Sequence, residues 1–263
     1  MKLVLFCDYG LDDAAATVDA LLHAKQDGYE GVDLVAIGGN VPAEVSLRNA
    51  KKLAANVNCG YSKIRVVDTT AYSQPFEYLT QIHGGDGMGD LFSDCPAPCA
   101  VISFDEWRAE CDPFVLVSLG PMTLVPYALE KKPAKFIFMG GNVAETPNFH
   151  GYEFNHGVNR EAFSRCVKYP HVAVTMDTCR NPLFNVQDKA IGEKDLLHRI
   201  VSRSRALTFT SGEKGCYVWD DIAIKVLRHP ERFALRRQTD RDGNLLTVAY
   251  YAWTESYLEL IGK

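Results

Sequence analysis

The chain has 263 residues, with 28 basic and 33 acidic side chains, a formal net charge of −5 and 47% hydrophobic residues. That balance suits a globular α/β domain with a sizeable core and excludes disordered, collagen-like and coiled-coil chains. A mildly acidic chain without a basic run lacks the electrostatic footprint of a nucleic-acid or anionic-membrane binder, so small polar substrates remain.

No apolar stretch approaches the ~18 residues that span a bilayer. The apolar run Leu3-Val4-Leu5-Phe6 ends at once in Cys7-Asp8, too short for a secretory leader. Eight cysteines lie scattered at positions 7, 59, 95, 99, 111, 166, 179 and 216 and read as reduced thiols, which sets the expected location as cytoplasmic. Cys95 and Cys99 offer half a zinc site, but no second Cys/His pair accompanies them, and Pro96 and Pro98 point to a plain loop.

In chain order, residues 2–7 read as a buried strand and 12–27 as a helix stopping near Gly28. Residues 32–37 give a second strand and 43–57 a second helix. The strand signal repeats at 64–67, 114–119, 135–139 and 172–176, with helices predicted over 121–130, 159–168 and 218–228. Asp240-Arg241-Asp242-Gly243-Asn244 reads as a hairpin turn, and 250–261 as an aromatic-rich amphipathic helix, either core or an interface in a homo-oligomer. Without repeats or a linker, 1–263 is expected to form a single α/β domain, a mostly parallel central sheet flanked by helices. Ligands of such sheets bind beyond the carboxyl ends of the strands.

The first strand runs into Asp8-Tyr9-Gly10-Leu11-Asp12-Asp13. Three carboxylates so close repel one another unless positive charge lies between them. A helix N-terminus accommodates one or two as caps; a hard divalent cation such as Ca²⁺ or Mg²⁺ is the alternative. A phosphatase-type aspartate loop needs a second acid two residues after the nucleophile, where Gly10 stands.

Asp8-x-Gly10-x-Asp12-Asp13 resembles the N-terminal signature of the inosine-uridine-preferring nucleoside hydrolase family, and further segments match in the same order. These are Gly39-Asn40-Val41 with Arg48-Asn49-Ala50, the loop His83-Gly84-Gly85-Asp86-Gly87-Met88-Gly89, Leu119-Gly120-Pro121-Met122-Thr123, and Met139-Gly140-Gly141 with Glu153-Phe154-Asn155. Trp219-Asp220 falls where the family usually has His-Asp. Six matches in order make chance similarity implausible.

The resemblance implies a Rossmann-like topology, a bound Ca²⁺ and hydrolysis of the N-glycosidic bond of ribonucleosides, in purine and pyrimidine salvage. It implies Asp8, Asp13, Asp220 and the Leu119 carbonyl as metal ligands, with Asp8 also the general base. Asp12, Asn40, Glu153 and Asn155 would meet the ribose hydroxyls, with Asn148 one position off the family register and His83 a further pocket residue. Asn40 and Asn155 also read as turn residues, Glu153 as a surface acid, His83 as loop polarity and Asn159 as a helix cap.

Three departures stand out. Phe6 replaces the first acid of the family's DxDxxxDD signature, a loss that bears on the cation site. Leu124 replaces the Asn of GPLTN, a change of packing. Trp219 replaces the histidine credited with protonating the leaving base, and an indole is no general acid near neutral pH. Trp219 therefore either stacks on the base, favouring purines, fills the core, or marks a nucleoside-binding protein without efficient hydrolysis. The segment after Asp220 is short against the family, on the base-binding side.

Overall fold

The computed structural model describes residues 1–57, 63–73, 80–92, 99–187, 191–192, 194–210 and 214–261. Cys59 and Cys95 lie outside the described residues, so the half-site reading has only Cys99, half-buried with a free thiol.

Along β1 (Lys2–Cys7), Leu3, Leu5 and Cys7 enter one apolar cluster, while Val4 and Phe6 enter another. A strand buried on both faces belongs at the centre of a sheet covered by two layers of helices. The remaining strands are β2 (Gly31–Ala36), β3 (Ile64–Asp68), β4 (Ala100–Ser103), β5 (Phe114–Ser118), β6 (Lys135–Met139), β7 (Val172–Val174), β8 (Phe233–Thr239) and β9 (Leu245–Tyr251). They form one nine-stranded sheet in the order β4-β3-β2-β1-β5-β6-β7-β9-β8. Every neighbouring pair is parallel except β8 with β9.

The helices are α1 (Leu11–His23), α2 (Ala43–Asn56), α3 (Thr80–His83), α4 (Phe104–Ala109), α5 (Val125–Glu130), α6 (Phe154–Val158), α7 (Arg160–Cys166), α8 (Met176–Cys179), α9 (Leu196–Thr210), α10 (Trp219–Arg228) and α11 (Tyr257–Leu260). On one face, α1, α2, α9 and α10 bury residues such as Val18, Leu53, Ile200 and Ile224. On the other, α4, α5 and α7 bury Trp107, Leu129 and Phe163. Phe6 meets Phe104 and Trp107 edge-on there, at 6.3 and 5.8 Å between ring centroids, so its place in the family's acidic signature is taken by aromatic packing. Leu124 is likewise buried in this second cluster, a packing role as expected.

Strand order reverses between β1 and β5: the chain builds outward from β1 to β4, then returns to β5 on the other side of β1. A crevice at such a switch point is where open parallel sheets bind ligands. The segments leaving β1 and β5 are those carrying Asp8 and Leu119.

The end of the chain departs from the expectation of a helix over 250–261. Residues 245–251 are strand β9, and the helix is confined to Tyr257–Leu260. Leu246 and Val248 point into the core while Leu245 and Thr247 point away, the period-two pattern of a strand, and β-branched and aromatic residues favour that state. Tyr257 and Leu260 are buried, which makes the short helix part of the core. The predicted turn at 240–244 does join β8 to β9, with Gly243 in the left-handed region that this tight connection requires.

Candidate active site

Asp8 is positioned by two close backbone approaches. A Cβ on Gly39 would lie 1.8 Å from Asp8 Oδ2, and one on Gly120 would lie 2.9 Å from its carboxyl carbon. Only glycine fits at 39 without displacing the acid. The Asn40 N–H donates to Asp8 Oδ2 at 2.7 Å, and the Asn40 Nδ2 donates at 3.2 Å to both Asp8 Oδ1 and Asp13 Oδ2. Asp13, in the first turn of α1, also accepts from the N–H groups of Asp8 and Gly10, at 3.2 and 2.8 Å. The capping and ligand readings of Asp13 are therefore compatible: it satisfies the turn before α1 and faces the other acids.

Asp12, Asp13 and Asp220 each bring a carboxylate oxygen within 4.8 Å of the other two. The sequence had grouped Asp8 with Asp13 and Asp220; Asp12 joins them in space, while Asp8 lies beside Asp13 and is held by Asn40. Burial pushes the Asp8 carboxyl up to about 7 despite the Asn40 N–H. Burial, reinforced by the neighbouring acids, holds Asp13 and Asp220 well above the usual carboxylate range. Asp12 Oδ1 is buried without a hydrogen-bond partner. Uncompensated acids and an orphaned carboxylate oxygen fit a hard divalent cation, which neutralises them and takes oxygen ligands.

The Leu119 carbonyl, beyond β5, accepts from Asn155 Nδ2 at 2.7 Å, and the same amide reaches the Met139 carbonyl at 3.2 Å. A carbonyl has two lone pairs, so Leu119 keeps one for a further partner. Glu153 caps α6, accepting from the N–H groups of Gly141, Asn155 and His156 at 2.8, 2.9 and 3.0 Å. It is buried, against the surface-acid alternative, and burial pushes it up to about 7 against those three bonds. Asn148 Oδ1 accepts from the Phe154 N–H at 3.0 Å, which ties it to the same cap. Asn159 caps α7 through the Ala162 N–H at 3.0 Å, the structural role expected of it. His83 Nδ1 accepts from the Leu11 N–H at 3.1 Å, which leaves the ring proton on Nε2, and burial lowers its pKa.

A cavity of about 650 Å³ opens above these groups, and Asp12, Asn40, His83, Leu119, Asn148, Glu153, Asn155, Trp219 and Asp220 all line it. Asp8 and Asp13 are fully buried, and both accept from the Asn40 side chain, which does line the cavity. Trp219 is half-buried: it lines the cavity, meets Tyr217 edge-on at 6.3 Å and also packs against the edge of the core. Sequence reasoning missed much of that wall, including Arg180 after α8, Asn185, Ser204 and Thr208 on α9, and Tyr217. Ser204 and Thr208 are four apart and share a helix face, a signal that exists only once α9 is recognised.

Fold and site together define an α/β protein with an acidic, cation-ready pocket at its topological switch point. The chain belongs to the inosine-uridine preferring nucleoside hydrolase family, whose sequence pattern matches residues 3–252. It is 26% identical over 264 residues to the non-specific ribonucleoside hydrolase RihC of Klebsiella pneumoniae, covering 90% of this chain and 82% of that protein. The RihC of Salmonella paratyphi A is 28% identical over 258 residues, with the same two coverages. Among solved structures, the purine-preferring ribonucleoside hydrolase of Gardnerella vaginalis superposes with a TM-score of 0.72 at 21% identity, covering 99% of this chain and 96% of that one. The inosine-uridine preferring nucleoside hydrolase of Bacillus anthracis gives 0.72 at 16% identity, with coverages of 99% and 97%.

Proposed function

We propose that the protein hydrolyses the N-glycosidic bond of ribonucleosides, purine nucleosides foremost, with Ca²⁺ as its cation and in a reducing, cytoplasmic setting. The observation that carries this reading is the cluster of Asp12, Asp13 and Asp220 at a cavity also lined by Asn40, Glu153, Asn155 and Trp219. Asp8, Asp13, Asp220 and the Leu119 carbonyl would hold the cation, with Asp12 beside them at the cavity floor. Bound there, Ca²⁺ supplies positive charge that makes a water molecule more acidic and gives ribose hydroxyls a partner.

Asp8 accepts the proton of the attacking water at a carboxylate oxygen. Asn40 orients Asp8 by two hydrogen bonds, which keeps that oxygen in place. Asp12, Glu153 and Asn155 line the ribose side, where negative and dipolar groups favour the positive charge of an oxocarbenium-like transition state. Asn148 and His83 close the rim. Trp219, with Tyr217 beside it, offers an aromatic face to the base, which is why purines are placed first.

The test incubates the protein with inosine, guanosine, adenosine, uridine and cytidine in millimolar calcium, or in excess chelator, and assays reducing sugar. Purine nucleosides are expected to react fastest, and chelation to abolish the reaction. Binding without sugar release from any of the five would instead assign a nucleoside-binding protein. That reading has one observation in its favour: the tryptophan standing where the family carries its acid.

A further inference from the structure

When an N-glycosidic bond breaks, its electron pair goes to the base, which departs as an anion unless something protonates or neutralises it. Trp219 cannot protonate it near neutral pH. His83 accepts from the Leu11 N–H at Nδ1 and carries its proton on Nε2, so as a neutral ring it can donate a hydrogen bond but supplies no fixed positive charge. Among the described residues that line the cavity, the permanently positive side chains are Arg180 and Lys214.

Lys214 is exposed, whereas Arg180 is built into the wall. Its Nη1 donates to Glu145 Oε2 at 3.0 Å, and its Cζ lies over the Trp219 ring, 5.8 Å from the centroid. Glu145 is itself fixed. Its N–H donates to Asp177 Oδ1 at 3.1 Å, and Asp177 also accepts from the Val143 and Ala144 N–H groups at 2.7 Å each. The Glu145 carbonyl accepts from Asn142 Nδ2 at 2.9 Å. Asp177 lies in α8 and Arg180 caps its end, so the loop after β6 and α8 lock together and set the guanidinium beside the aromatic wall. A guanidinium has five N–H donors, of which Glu145 engages one nitrogen's.

We propose that Arg180 is a catalytic residue that stabilises the departing base, donating hydrogen bonds to it and taking up its negative charge. This rests on the nucleoside-hydrolase reading. In the step, the bond from C1′ to the base nitrogen breaks and its electron pair stays on the base. The water oxygen bonds to C1′, and the water's proton passes to Asp8. The base leaves as an anion paired with Arg180 and is protonated by solvent, to which Asp8 returns its proton. Arg180 neither gains nor loses a proton; it acts by charge and hydrogen bonding alone. A donor group held in place before the reaction, here by Glu145, stabilises a developing anion without having to reorganise during the step.

The test measures kcat on inosine and on 4-nitrophenyl riboside, whose leaving group is already a stable anion, for the wild type, Arg180→Met and Arg180→Lys. Arg180→Met is expected to lower kcat on inosine by about 10²-fold and on the nitrophenyl riboside by about tenfold less. Arg180→Lys, which keeps the charge, should recover part of the inosine loss. Equal losses on the two substrates, or none, overturn the proposal while leaving the hydrolase reading intact. A wild-type protein that cleaves neither substrate overturns the hydrolase reading and the role of Arg180 with it.

Discussion

Asp8 occupies a slot made by what its neighbours lack, since side chains at positions 39 and 120 would collide with it. Asn40 then supplies two donors, and in the metal-free site burial raises the pKa of the acid to about 7, a value that a bound cation would lower. Asp8→Asn keeps the shape and removes the base. Turnover should fall by roughly 10²–10⁴-fold, while circular dichroism and the metal-free melting temperature stay at wild-type values or above, because a buried acid has been removed. Near wild-type turnover in this variant would remove Asp8 as the base. At this scale the sequence picked out Asp12, Asn40, Glu153, Asn155 and Asp220 through motifs that resemble the family's, and the fold brings these five to one cavity. Arg180, Asn185 and Tyr217 sit in none, and only the fold shows them lining the same cavity as Trp219.

At the scale of elements, the acidic cluster depends on α1 and α10 keeping their relative position, for α1 carries Asp12 and Asp13, and α10 carries Asp220. A buried ion network holds the two helices together. Lys225 Nζ lies 3.0 Å from Asp19 and 3.6 Å from Asp221, Arg228 reaches Asp19 at 3.3 Å, and Tyr257 donates to Asp221 at 2.8 Å. Removing one partner leaves buried charge uncompensated, so Lys225→Met should cost about 3 kcal/mol in denaturant melts. Burial alone would raise the Asp19 pKa, but Lys225, His23 and Arg228 outweigh it and hold the carboxyl well below its ordinary value. A depressed acid stabilises the fold above its unfolded pKa, near 4, and that contribution fades as pH falls through the folded value. In Lys225→Met the folded value rises, so acid unfolding should begin at higher pH than in the wild type; identical acid transitions would refute the coupling. The sequence foretold α1, α2 and α10 from apolar spacing but missed α9, whose buried Leu197, Ile200 and Val201 are interrupted by His, Arg and Ser. It also read the turn at 240–244 without its two strands and began the last helix at residue 250, inside β9, because the mostly exposed edge β8 carries almost no buried pattern.

For the whole molecule, the acids come from opposite ends of the chain: Asp8, Asp12 and Asp13 leave β1, while Asp220 opens α10, and folding brings them together. In the unfolded chain they are far apart and solvated, so the fold bears their repulsion and a divalent cation binds only the folded state with all its ligands. Ligand binding to the folded state alone stabilises by about 2.7 kcal/mol at a hundred times Kd. For a protein of this size each kcal/mol moves Tm by roughly 2–4 °C. Calcium added in that excess to chelator-treated protein should therefore raise Tm by about 5–10 °C. Magnesium should act more weakly, since it is smaller, demands near-octahedral geometry and sheds water reluctantly. Asp13→Asn and Asp220→Asn should each abolish most of the calcium shift, and both should melt at or above the wild type in chelator, having lost a buried charge. Superimposable wild-type melts in calcium and chelator would mean that these acids hold no such ion, and the repulsion would then have to be relieved by protonation, in line with the raised pKa values of Asp8, Asp13 and Asp220.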